Sequence, residues 1–180
     1  TDPVYLRVHA VASFRAAIRE RARGMRVTLV TADEPGPRAL VEGRLRDARG
    51  EPLVGALVYV YQTDARGWYG AKGPHFVGPS GDERHARLFG YLRTDAQGRY
   101  ALSTIRPSGY PRTDLPAHIH IEVFVGDEMV LISEVLFADD PRLTPAQRER
   151  GLRDGFVVAA PEAMAGGVTR YVADFTLRAR

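Results

Sequence analysis

From residue 40 onward, short apolar stretches alternate with turns that contain aspartate and glycine, such as Asp47–Gly50 and Asp95–Gly98. Apolar stretches bounded by turns of this kind are typical of β-strands. Because several of them follow one another, we expect a mainly β fold in the form of an antiparallel β-sandwich. The predicted strands are Leu40–Arg46, Ala56–Gln62, Leu88–Arg93, Arg99–Ile105, His118–Val125, Met129–Phe137, Phe156–Ala160 and Tyr171–Leu177.

The N-terminal part has a different period. Apolar residues recur at helical spacing between Val8 and Arg23, and Gly24 ends the pattern, which predicts a short N-terminal helix. We therefore divide the chain into a helix and linker, residues 1–38, and a β-sandwich domain, residues 39–180. The apolar stripe of the helix needs a partner surface, so we expect it to pack on the sandwich or on a second subunit of a homodimer.

Two segments interrupt the strand pattern. Thr144 followed by a proline is typical of a helix N-cap and predicts a second short helix that runs to about Arg153. The segment Gly70–Arg87 has no hydrophobic period and is rich in glycine, proline and histidine. A loop of this length in a small domain is usually functional or disordered. We expect it to shape the rim of a pocket, so the sandwich carries long active-site loops.

Composition narrows the possible functions. A chain of 180 residues with 44% apolar content suits one domain with a full hydrophobic core. The formal net charge is +3 and no basic run has interleaved aromatic residues, so we expect no nucleic-acid partner. No stretch approaches the ~20 apolar residues that a membrane-spanning helix needs, so we expect no membrane span.

The chain contains no cysteine, which removes disulfides, thiolate metal sites and cysteine nucleophiles from consideration. It begins with Thr1 rather than methionine, which fits either a mature form after signal removal or a trimmed chain. Export with removal of a signal is the favoured expectation over a cytoplasmic location, and the compartment stays open.

Two histidines and two tyrosines carry the candidate chemistry. His118 and His120 are two residues apart on a predicted strand, so both imidazoles point to one face. A pair of this kind on an apolar strand is more often structural than metal-binding. Tyr69 and Tyr110, however, lie in turn-rich loops, where functional residues are common. Two imidazoles with two phenolates form a donor set for a hard, highly charged ion and favour iron(III) over zinc or copper.

Four segments between about Val41 and Pro141 carry a family resemblance. They read VEGRLRDARGEPLVGALVYVYQTDARGWYG, LRTDAQGRYALSTIRPSGYP, PAHIHIEVF and LISEVLFADDP. In the order Tyr, Tyr, His-x-His and in the residues that flank these positions, the chain resembles the intradiol ring-cleavage dioxygenases, the family of protocatechuate 3,4-dioxygenase and catechol 1,2-dioxygenase.

The resemblance implies one mononuclear, non-haem iron(III) per chain on a β-sandwich. Its ligands would be Tyr69, Tyr110, His118 and His120. It also implies a small aromatic diol and O₂ as substrates. Cleavage between the two hydroxyl-bearing carbons would give a muconate-type diacid.

Two positions depart from the family pattern. Members usually carry an arginine where this chain has Leu115, and a glutamine where it has Glu134. Loss of a cation and gain of an anion disfavour an anionic intermediate. We therefore expect catalytic roles for Arg112, which would replace the missing cation, and for Glu134, whereas Arg106 is expected to be structural. The candidate substrate-binding residues are Leu115, Gly70 and Trp68.

Two other interpretations stay open. The stretch GRLRDARGEPLVGALVYV also resembles transthyretin-like and carboxypeptidase-regulatory β-sandwich modules, which are accessory or binding domains. The chain could also be a dioxygenase-like protein that holds iron and binds a diol without cleaving it efficiently. Iron(III) bound by phenolates is burgundy, whereas an accessory module would be colourless.

Overall fold

The computed structural model describes residues 12–70 and 86–178. The start of the predicted N-terminal helix and most of the loop predicted at 70–87 lie outside these residues. In chain order the elements are α1 (Ala12–Arg21), β1 (Arg26–Thr28), β2 (Arg38–Arg46), β3 (Leu57–Gln62), β4 (Leu88–Arg93), β5 (Arg99–Ile105), β6 (His118–Val125), β7 (Glu128–Phe137), α2 (Pro145–Asp154), β8 (Val157–Ala159), β9 (Pro161–Ala163), a 3₁₀ turn (Ala165–Gly167), β10 (Thr169–Val172) and β11 (Phe175–Thr176).

The strands of the described residues form two sheets. The first has the order β1-β5-β2-β10-β9, with β11 also paired to β2, and the second has the order β4-β3-β6-β7-β8. The pairings β2–β5, β3–β4, β3–β6 and β6–β7 are antiparallel. The mainly β sandwich predicted from sequence is therefore confirmed. Parallel pairs were not foreseen, and they join β1 to β5, β10 and β11 to β2, and β8 to β7.

The core lies between the two sheets and explains the alternation of β6. Ile119 and Ile121 are fully buried in it, beside Val58 and Val60 of β3. Because successive side chains of a strand point to opposite faces, the histidines of β6 lie on the outer face of the second sheet. Burial of each isoleucine contributes roughly 1.5–3 kcal/mol, so the core fixes the register that turns the histidines outward.

The N-terminal region contacts the sandwich of its own chain. The Arg19 guanidinium of α1 donates to the Gly126 carbonyl at 3.0 Å and lies 5.1 Å from the centre of the Phe124 ring. Leu29, just after β1, is 4% exposed and belongs to the core, so the sheet begins before residue 38. The division into residues 1–38 and 39–180 and the homodimer stay predictions. Within the described residues, no helix has the length and apolarity that a membrane span requires.

We expect Gly43→Ala to destabilise the fold, because β2 and the chain after β10 touch at this position. A Cβ at Gly43 would lie 1.9 Å from the carbonyl oxygen of Ala173. Overpacking against backbone costs about 1–3 kcal/mol or more of unfolding free energy, measured by urea denaturation. Gly24→Ala is the control, since nothing lies within 4 Å of its Cβ position. Equal unfolding midpoints for the two variants would contradict the prediction.

Candidate metal centre

Strand β6 brings its two histidines to one point on the outer face of the second sheet. The Nε2 atoms of His118 and His120 are 3.1 Å apart. The Nδ1–H of His118 donates to the Pro116 carbonyl at 2.9 Å, which leaves its Nε2 with a lone pair. The Tyr61 ring stacks on His120 with 4.4 Å between ring centres, so β3 fixes the plane of this imidazole.

Two loops bring the tyrosines to the same point. The Tyr69 hydroxyl lies 2.8 Å from His120 Nε2, and the Tyr110 hydroxyl lies 3.2 Å from His118 Nε2. The two hydroxyl oxygens are 2.6 Å apart. All four atoms thus lie within the spacing expected around one ion with bonds of about 2 Å. The structure therefore brings together the four residues that sequence reasoning selected as metal ligands.

Glycine lets the two tyrosine loops touch. Gly67 has φ +81°, and a Cβ on it would lie 2.2 Å from the Gly109 carbonyl oxygen. Only glycine combines this backbone conformation with so close an approach. Thr63 Oγ1 donates to the Ser108 carbonyl at 2.6 Å and links the same loops. The distance between Tyr69 and Tyr110 is therefore set by backbone contacts.

The donor set suits a cation. The two hydroxyl oxygens, 2.6 Å apart, share a hydrogen bond in which either can donate, and the two Nε2 atoms are 3.1 Å apart. Oxygen and nitrogen atoms that carry lone pairs therefore converge on one point, which is the arrangement that a metal ion requires. The chemistry of the residues thus fits a metal ion.

The tyrosine pKa values support the same conclusion. Burial raises the pKa of Tyr69 far above its ordinary value, and the neighbouring Tyr110 raises it further. Burial also raises the pKa of Tyr110, which the hydrogen bond from Tyr69 partly opposes. Neither phenol would ionise here at neutral pH unless a bound cation stabilised the phenolates.

Glu134 of β7 lies opposite His120 in the cross-strand register. Its Oε1 is 3.5 Å from His120 Nδ1, on the other edge of the ring from the Nε2 atom that faces the tyrosines. Its carboxylate and the two histidines offer ligand atoms within 4.8 Å of one another. Because it approaches Nδ1, we assign it to orienting His120. Burial raises the pKa of the Glu134 carboxyl, and the His118 charge acts in the opposite direction.

A buried ion network holds the Tyr69 loop. Arg87 donates its backbone N–H to the Tyr69 carbonyl at 2.8 Å. Its guanidinium makes two hydrogen bonds to Glu34, at 2.5 and 2.6 Å, and lies 3.6 Å from Asp64. Asp64 Oδ1 in turn accepts the backbone N–H of Trp68 at 3.1 Å. Both carboxylates are buried, so Arg87 compensates two charges that water does not reach.

A cavity of about 260 Å³ opens beside the donor atoms. Helix α2 forms one wall, and it approaches closely because a Cβ on Gly151 would lie 2.8 Å from Leu136 Cδ1. Among the described residues the lining comprises Tyr110, Leu115, Pro116, His118, His120, Glu134, Leu136, Gln147, Arg150, Gly151, Asp154 and Phe156.

The remaining candidates occupy different places. Leu115 lies in the cavity wall, and its side chain is 47% exposed. Arg112 is exposed, has φ 61° and is not part of that wall. Trp68 packs under the Arg66 guanidinium at 4.2 Å, and neither Trp68 nor Gly70 lines the cavity within the described residues. The substrate-binding roles predicted for Leu115, Trp68 and Gly70 and the catalytic roles predicted for Arg112 and Glu134 stay predictions.

Sequence reasoning missed the part of the cavity that α2 contributes. Gln147, Arg150, Gly151 and Asp154 follow helical spacing, so they share one face of the helix. Gly151 is buried against β7, whereas Arg150 and Asp154 line the cavity from an exposed position. The sequence alone did not show which face of α2 would turn inward.

A β-sandwich that gathers two phenols and two imidazoles beside a cavity defines a candidate non-haem metal enzyme. The chain belongs to the intradiol ring-cleavage dioxygenases, because a family model described as dioxygenase matches residues 14–179 and the relatives that it resembles carry intradiol dioxygenase names.

Two curated relatives illustrate the similarity. The protocatechuate 3,4-dioxygenase beta chain of Burkholderia cepacia is 35% identical over an alignment of 123 residues, and the match covers 60% of this chain and 48% of that protein. The catechol 1,2-dioxygenase of Acinetobacter baylyi is 30% identical over an alignment of 147 residues, and the match covers 73% of this chain and 45% of that protein. The chain thus spans about half the length of these relatives.

A solved structure of similar length also matches. It is the dioxygenase domain of a dioxygenase carbohydrate-binding protein fusion from Streptomyces sp. SirexAA-E, with 26% sequence identity and a TM-score of 0.63. The match covers 88% of this chain and 89% of that one.

We expect one metal ion per chain, held by the four donors. His118→Ala and Tyr69→Phe should each lower the metal content by at least tenfold, because each removes one donor atom from the cluster. Metal analysis after dialysis measures this. Tyr91→Phe is the control, since Tyr91 stacks on Tyr59 at 4.6 Å and is not one of the donors. Unchanged metal content in both ligand variants would show that the ion binds elsewhere.

We expect Arg87→Met to lower the free energy of unfolding by about 3–5 kcal/mol, because it leaves the buried Glu34 carboxylate without its cation and Asp64 with the exposed Arg66 as its partner. The variant should also bind metal more weakly, since the segment that carries Tyr69 loses the ion pairs of Arg87 with Glu34 and Asp64. Arg66→Met is the comparison, because Arg66 pairs with the same Asp64 but its side chain is 54% exposed. The effect there should be below about 1 kcal/mol. Urea denaturation measures the unfolding free energy of both variants, and equal losses for Arg87→Met and Arg66→Met would contradict the prediction.

Proposed function

We propose that this protein is an iron(III)-dependent intradiol dioxygenase that cleaves a catechol-type aromatic diol with O₂ to a muconate-type diacid. The convergence of two phenol oxygens and two imidazole nitrogens carries the proposal, because neighbouring donors lie 2.6–3.2 Å apart. The family membership and the names of the relatives support the same chemistry.

Iron(III) is the ion that suits these donors. Zinc and copper are served well by imidazoles alone, whereas paired phenolates favour a hard ion of higher charge. When bound, iron(III) would supply a Lewis acid that holds both oxygens of the diol and makes the ring reactive toward O₂. Tyr69, Tyr110, His118 and His120 would hold it, one ion per chain.

The two tyrosines differ in their access to the cavity, and we infer different roles for them from this difference. Tyr110 lines the cavity and is half-buried, whereas Tyr69 is 4% exposed and lies behind it. We assign Tyr110 Oη as the base that receives a proton from the incoming diol. Burial raises the pKa of Tyr110, so its phenolate would take a proton readily. Tyr69 keeps its place through the Arg87 network.

The cavity suits a single aromatic ring. Leu115, Pro116, Leu136 and Phe156 give it apolar walls, and its volume of about 260 Å³ lies just below the range of about 300–1,000 Å³ for pockets that hold drug-sized ligands. Apolar walls exclude water from the ring and strengthen polar contacts at its edge.

A protein that binds a diol without efficient cleavage is the second candidate function. This second function is favoured by Leu115 and Glu134, which occupy positions where relatives usually carry an arginine and a glutamine. Both residues line the cavity, so an anionic intermediate would meet an apolar side chain and a carboxylate there. The accessory-module interpretation receives no support from the family match.

We expect the protein loaded with iron(III) to show a visible charge-transfer band and to consume O₂ when given a catechol-type diol. Catechol, hydroxyquinol and protocatechuate should be tested with an oxygen electrode, and the diacid product should be followed by absorbance. Tyr69→Phe should lose colour and O₂ uptake together, while Tyr91→Phe keeps both. A coloured, iron-loaded protein that consumes no O₂ with any diol would support the non-cleaving function.

A further inference from the structure

Helix α2 presents polar residues to the cavity. Gln147, Arg150 and Asp154 line it, on the same face as Gly151. This face meets β7 at Leu136, which lies opposite His118 in the strand register. The wall therefore stands beside the metal donors.

The position of this wall is fixed at several points. A capping box at Thr144 begins α2, and Gly155 ends it with φ 87°. Gln147 Nε2 donates to the Asp114 carbonyl at 2.9 Å, which ties the helix to the loop between Tyr110 and His118. Ser133 Oγ donates to the Gly155 carbonyl at 2.9 Å and ties its other end to β7. The backbone that carries Arg150 is thus held relative to the donors.

Within the described residues, Arg150 is the arginine that lines the cavity, where it is exposed and makes no ion pair. The arginines that sequence proximity suggested lie elsewhere. Arg106 pairs with Asp139 at 3.0 Å and stacks on the Phe137 ring at 3.9 Å. Arg112 is exposed outside the wall. Positive charge reaches this part of the cavity through α2.

We propose that Arg150 makes the site select diols that carry an anionic group on the ring, such as a carboxylate or sulfonate. A planar guanidinium forms two parallel hydrogen bonds to such a group, which orients the ring as well as binding it. Asp154 lies one turn further along the same face and repels an anion. The anionic substituent of the ring therefore lies at the Arg150 end of the wall. The inference rests on the proposed function for the diol part of the ligand.

The first experiment compares protocatechuate with catechol on iron-loaded protein. Arg150→Gln should lower the ratio of their kcat/KM values by about tenfold to a hundredfold, and Asp154→Asn should raise it. Arg148→Gln is the matched control, because Arg148 is exposed on the same helix and does not line the cavity. An Arg150→Gln ratio equal to that of the parent overturns the proposal.

The second experiment separates this inference from the cleavage reaction. Isothermal titration measures binding of 4-hydroxybenzoate and of neutral 4-hydroxybenzyl alcohol, which has a similar shape. The parent should prefer the anion, and Arg150→Gln should lose that preference while Arg148→Gln keeps it. If the parent prefers the anion and Arg150→Gln does not, but no diol causes O₂ uptake, the cleavage proposal is refuted and the proposed selectivity is supported. A parent that binds both ligands equally, or neither, overturns the selectivity.

Discussion

The site depends on bringing four polar side chains to one buried point. The Nε2 atoms of His118 and His120 are 3.1 Å apart, and the hydroxyls of Tyr69 and Tyr110 share a hydrogen bond of 2.6 Å. Burial of polar groups costs free energy unless they are paired, so each of these side chains must be kept close to its partners. The rest of the structure must hold them there.

Two parts of the scaffold hold the four side chains in place by different interactions. The sandwich core holds β6 through Ile119 and Ile121, whose burial cannot survive a shift of one residue because such a shift would turn the histidines inward. The tyrosine loops lie outside that core, and Tyr69 packs in a second, smaller cluster with Tyr59, Tyr61 and Ala86. Arg87 holds the Tyr69 loop through Glu34 and Asp64. A buried charge network thus fixes the position of the loop, whereas hydrophobic burial fixes the register of the strand.

Much of this architecture could be predicted from sequence, because it follows local periods. The bounds of β4, β5 and β6 agree with the alternation of apolar residues, and the N-cap at Thr144 predicted the start of α2. Parallel pairs such as β2–β10 could not be predicted, since their partners lie far apart in the chain and carry no turn signal. Arg150 was missed for the same reason, because a helix face meets its cavity only through tertiary packing.

The role predicted for Arg112 stays a prediction, and the structure places this residue outside the cavity wall. It lies between two ligands, yet its φ of 61° belongs to a turn that carries its side chain outward. The position of the usual family arginine holds Leu115, so charge near the donors now comes from Glu134 on one side and Arg150 on the other. In the role proposed for it, Arg150 would act on a substituent of the ring more than on the reacting carbons. Such a site would favour recognition of the substrate over stabilisation of an intermediate, which is the trade expected when binding energy is realised in the ground state.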